Sequence, residues 1–134
     1  MIRIIQLLNE KNHFLEKFYS LNEKQIVQLE LGRFDDIERF YNQREDLLKI
    51  LKYVDAEINK AHSLYKDVAG PFDVAQKNEI KGCLRTKEMY VKKILEQDLI
   101  VLGLIDEAKS QIIRELQDIK KSSRALAGYK STTL

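Results

Sequence analysis

The chain is poor in the residues that punctuate or staple a fold. Its 134 residues hold one proline, five glycines, one cysteine and no tryptophan. With 33% charged and 44% apolar residues, there is enough apolar material for a narrow core and too much charge for a compact β fold. The lone Cys83 excludes an internal disulfide and fits a reducing cytoplasm. The longest uncharged run, Leu99 to Ile105, is far too short to span a bilayer, so no membrane insertion is expected. The apolar opening Ile2-Arg3-Ile4-Ile5 soon meets Glu10 and Lys11 and shows no small-residue cleavage site, so no signal peptide is expected. A formal charge of +2 argues neither for nor against nucleic acid, and four basic residues near the end without an aromatic platform make a weak footprint for it.

The machinery of catalysis is also missing. There is no glycine-rich phosphate loop, no cluster of metal ligands, and no Ser/His/Asp or Cys/His set at a convincing spacing. A helical hairpin about Gly32 and Arg33 sets His13 level with Tyr53 and His62 level with Ile4, so the two histidines do not meet. The sequence thus leads us to expect no catalytic residues, no metal and no cofactor. Cys83 and the scattered aromatics read as packing.

What the chain does have is helical periodicity. It predicts an all-α fold, an antiparallel helical hairpin or three-helix bundle of coiled-coil character with a long C-terminal helix. Helix 1 covers about 2–31, with a stripe of Ile4, Leu8, Leu15, Phe18, Ile26 and Leu29, interrupted by Lys11 and Asn22, and Gly32 beyond it as the stop. Helix 2 covers about 34–68 and begins with Asp35, Asp36 and Glu38, which favour a helix N-terminus. Its stripe is Ile37, Tyr41, Arg44, Leu48, Leu51, Asp55, Ile58, Ala61, Tyr65 and Val68. Ala69-Gly70-Pro71 breaks it, Phe72 plugs the open end, and Asp73 caps helix 3. Helix 3 covers about 73–121, and its apolar middle marks it as the spine, packed against two neighbours. Residues 1–121 read as one domain, and 122–134 as a flexible basic tail.

Counting across the second hairpin gives a register in which facing residue numbers sum to about 142. Arg44 then meets Asp98, and Asp55 meets Lys87: the two charges of the helix 2 seam find opposite charges in one register. The same count takes Phe34 only to about Ala108. Helix 3 continues with Ile112, Ile113, Leu116 and Ile119, then Leu126, a projection of about 20 Å at roughly 1.5 Å per residue. Burying each such side chain is worth about 1.5–3 kcal/mol, so the apolar face calls for a cover. A second copy of the chain in an antiparallel two-fold pair, a different protein, or the tail folded back at Ser122 or Gly128 would each supply one. The surface assigned to a partner comprises Ile112, Ile113, Leu116, Ile119, Leu126 and Tyr129, with Lys120, Lys121 and Arg124 facing acidic residues on it.

The segments Leu31-Gly32-Arg33-Phe34-Asp35-Asp36-Ile37-Glu38, Arg44-Glu45-Asp46-Leu47-Leu48 and Asp55-Ala56-Glu57-Ile58 resemble the second-helix region of flagellar type III export chaperones of the FlgN and FliT type. The close Ser123-Arg124-Ala125-Leu126-Ala127-Gly128-Tyr129-Lys130 is similar to the basic, glycine–tyrosine ending of many such sequences. The resemblance implies a cytoplasmic, non-enzymatic helical chaperone. Its C-terminal helix would hold the helical end of a late substrate, a hook–filament junction (hook-associated) or filament-cap protein, and hand it to the export apparatus. A self-associating coiled-coil structural or adaptor protein is the alternative.

Overall fold

The computed structural model describes the backbone of residues 2–68 and 72–133 and the side chains of residues 3–66 and 72–125. The fold is all-α: α1 (Ile2–Glu30), α2 (Ile37–Val68) and α3 (Val74–Thr133), with no strand among the described residues. α1 stops where Gly32 takes a left-handed φ of 73°. The Arg33 N–H donates to the Gln28 carbonyl at 2.9 Å and the Gly32 N–H to that of Leu29 at 3.0 Å, so two carbonyls of the last turn are satisfied by the chain that leaves it. Any residue with a Cβ would be strained at that φ.

α2 begins at Ile37, later than the acidic run suggests, because Asp35 and Asp36 stay in the turn and the Asp36 carbonyl accepts the Phe40 N–H at 2.9 Å. The Ala69-Gly70-Pro71 break lies outside the described residues. Asp73 caps α3 reciprocally: its Oδ1 accepts the Gln76 N–H at 2.7 Å, and its own N–H donates to Gln76 Oε1 at 3.2 Å. α3 passes Gly82 and Gly103 without a break. It also runs beyond Lys121, where the sequence reading ends it, to Thr133. No proline follows Pro71, and Arg124-Ala125-Leu126-Ala127 are strong helix formers.

The chain divides into two compact units, Met1–Val101 and Leu102–Leu134. In the first, α1 is the spine, not α3. It packs on both other helices and carries most of the core: Ile4, Ile5, Leu7, Leu8, Leu15, Phe18 and Leu29 are buried. Adjacent apolar pairs at 4–5 and 7–8 widen its stripe enough to serve two neighbours. The apolar middle of α3, by contrast, leaves Leu99 72% and Leu95 59% exposed. Contacts between α1 and α3 ascend along both helices, so these run parallel, whereas those between α1 and α2 descend.

Much of the α2 column that the periodicity selects does face inward, since Leu51, Ile58, Ala61 and Tyr65 pack on the two core clusters, but the fully buried positions lie beside that column. α2 buries Phe40 and Val54 and leaves Tyr41 and Leu48 exposed; α3 buries Cys83, Ile94, Gln97 and Val101 and leaves Leu84 and Leu95 out. α3 is turned so that polar groups bridge to α1. Gln97 Nε2 donates to the Tyr19 carbonyl at 3.1 Å, and Cys83 Sγ lies 3.3 Å from Asn9 Oδ1. One core cluster gathers Ile4, Leu8 and Cys83 beneath Tyr65 and Phe72, whose rings stack at 4.3 Å and 21°. The other gathers Leu15, Phe18 and Ile94.

Candidate partner-binding face

Within Leu102–Leu134, every described side chain from Lys109 to Ala125 is exposed. Ile112, Ile113 and Leu116 are each 54% exposed and Ile119 61%. Residues 112, 116 and 119 share one face of the helix, with Ile113 beside it. Four large aliphatics left adjacent in water form the kind of patch that marks an interaction surface. Lys120, Lys121 and Arg124 are exposed at its end. Leu126 and Tyr129, assigned to the same surface from the sequence, have side chains outside those described.

The first unit holds the charges that the register count singles out. Arg44 Nη2 lies 3.1 Å from Asp98 Oδ2, with both side chains about three-quarters buried. The other carboxylate oxygen of Asp98 accepts Asn22 Nδ2 at 3.2 Å, and the Arg44 guanidinium lies 5.5 Å from the Phe18 ring centroid. Asp55 does not face Lys87. Its carboxylate takes Lys11 of α1. The correction follows from α1 being the central helix: Asp55 points into the α1–α2 seam, where Lys11 is largely buried and requires a counter-charge. Lys11, read from sequence as an interruption of the α1 stripe, is therefore its partner.

Asn22, fully buried, and the buried Gln25 and Gln97 are polar members of the core that a search for apolar stripes passes over. The visible signal is a polar residue falling in step with a stripe, as Asn22 does between Phe18 and Leu29.

The remaining chemistry-bearing residues stand apart. His13 lines an open groove of about 890 Å³ between α1 and α2, together with Leu21 and Phe40. His62 lines a smaller apolar recess of about 420 Å³ with Ile4, Ile58 and Phe72. Burial pushes the Cys83 thiol above its ordinary pKa, and the charge of Glu79 adds to the shift. The Tyr19 hydroxyl is raised mainly by donating a hydrogen bond to Glu23 at 2.8 Å. Among the described residues no group of three or more His, Cys, Asp or Glu is placed to hold a metal ion. None of their helices is long and apolar enough to cross a membrane. No family model, curated protein or solved structure matches the chain.

Proposed function

We propose that this chain is a non-enzymatic, cytoplasmic export chaperone that shields the helical end of a late flagellar substrate. The substrate is a hook–filament junction or filament-cap protein, kept unassembled and passed to the type III export apparatus. The observation that carries the binding role is the exposed aliphatic face of Ile112, Ile113, Leu116 and Ile119. Such a face suits an amphipathic helix laid along it, the mode in which apolar anchors recur every three or four residues. Lys120 and Arg124 would engage acidic residues at one end of that helix. Four anchors could supply roughly 6–12 kcal/mol before the cost of association is subtracted, which leaves room for micromolar affinity. The flagellar assignment rests on the resemblance of the segments around Gly32, Arg44 and Asp55.

The test is titration calorimetry of the purified chain with the C-terminal helical segments of a junction protein and of a cap protein. Micromolar binding to one of them, lost in Leu116→Asp with the melting temperature retained, supports the reading. Absence of binding to both segments ends the flagellar assignment. A large loss of melting temperature in Leu116→Asp would place Leu116 in a core instead of on a docking face.

A further inference from the structure

The exposed face of the second unit has a stricter order than an amphipathic helix needs. Leu102, Ile105, Lys109, Ile112, Leu116 and Ile119 follow one another at alternating steps of three and four, the heptad seam of a coiled coil. In heptad terms Leu102, Lys109 and Leu116 take the a positions and Ile105, Ile112 and Ile119 the d positions. Every one of these except Ile105 is exposed, and Ile105 is half-buried. A repeat of 3.5 residues keeps facing a partner only if that partner is a helix wound with it.

We infer that this seam pairs with the same seam of a second copy, antiparallel, in a register where facing residue numbers sum to about 228. Three features fit this occupant, and the second of them sets the direction. First, Ile112 of each copy packs against Leu116 of the other, so the central layers are wholly aliphatic. Second, Lys109 lies opposite Ile119 of the second copy, whereas a parallel pair would stack Lys109 on Lys109 within one core layer. Third, the flanking e positions are complementary: Asp106 of each copy faces Lys120 of the other, and Ile113 meets its own symmetry mate at the two-fold axis. Both Asp106 and Lys120 are exposed and hence available for this. Two like-charge approaches remain: Glu115 with its counterpart falls on the water-facing flank, where screening weakens it, and Lys109 beside Lys120 of the other copy is offset by the Asp106 that Lys120 faces. The inference uses the face assigned above to a substrate helix but does not depend on any substrate.

The experiment is sedimentation equilibrium on the purified full chain, with no substrate present, so its result is separate from the substrate titration. A dimer is expected, and Leu116→Asp is expected to be monomeric. Asp106→Lys and Lys120→Asp each replace two attractions by two repulsions and should weaken the dimer about tenfold. The double variant restores Asp–Lys facing and should recover the original affinity. In a parallel pair the double variant would still set Glu115 against residue 120 as aspartate, and no recovery would follow. A monomeric wild-type chain, a dimer indifferent to Leu116→Asp, or a double variant no better than the singles would each overturn the proposal.

Discussion

Arg44 on α2 and Asp98 on α3 lie 3.1 Å apart, and the same carboxylate takes Asn22 of α1, so one acidic side chain joins all three helices. The group is mostly buried, so removing one member strands the others. Asp98→Leu should cost about 2–4 kcal/mol, less than the loss of a fully buried pair because water still reaches a quarter of each side chain. The triple change Asn22→Leu, Arg44→Met and Asp98→Leu removes the polar group altogether and should recover most of that loss. Urea unfolding of the variants measures both.

Asp55 offers a direct check on which helix faces it. Asp55→Ala should lower stability by about 1–2 kcal/mol, because it leaves the largely buried Lys11 ammonium without its counter-charge. Lys87→Ala should change stability by less than about 0.5 kcal/mol. Equal losses from the two changes would return Asp55 to the α3 side.

How much of this was legible beforehand depended on whether a feature is local. The Gly32 stop and the Asp73 cap each need only a few neighbouring residues, and both stand where the sequence puts them. Arg44 and Asp98 could be matched because a short connection fixes a hairpin register. The rotation of α1 is legible, since its stripe of Ile4, Leu8, Leu15, Phe18 and Leu29 is the buried face, but the rotation of α3 is not, since Leu84, Leu95 and Leu99 are left exposed. Rotation depends on which column meets another helix, and buried amides such as Asn22 and Gln97 are polar by type though apolar by position. The spine was misassigned for the same reason. Leu99 to Ile105 is the most apolar run, yet a helix in the middle of three needs width more than density, and the pairs at Ile4-Ile5 and Leu7-Leu8 provide it. Lys11 opposite Asp55 lies on the same α1–α2 level count that separates the two histidines, and it emerges once that count is extended to charges.

The position of the spine has an energetic consequence. Leu7→Ala, at a site 2% exposed, should cost about 2–5 kcal/mol. Leu99→Ala, 72% exposed within the longest apolar run, should cost less than about 0.5 kcal/mol. Thermal melts of the two variants rank the helices, and the reverse order would restore α3 as the organising element.

Cys83 provides a probe of the core cluster that needs no added label. Its thiol is buried and its pKa is raised, so near neutral pH it is protonated and shielded. Reaction with a thiol reagent at pH 8 should be slow in the native chain and fast in denaturant. The linkage sign follows from the raised value: the neutral thiol is favoured in the folded state. Its contribution is therefore fully present below the ordinary thiol range and is lost as pH climbs through the folded value. Replacing Cys83 by alanine should remove that alkaline loss while leaving stability at pH 6 lower by about 1 kcal/mol, the deletion of one small buried group. A thiol that reacts at the same rate in the native and denatured chains would mean that the cluster of Ile4, Leu8 and Cys83 is open to water.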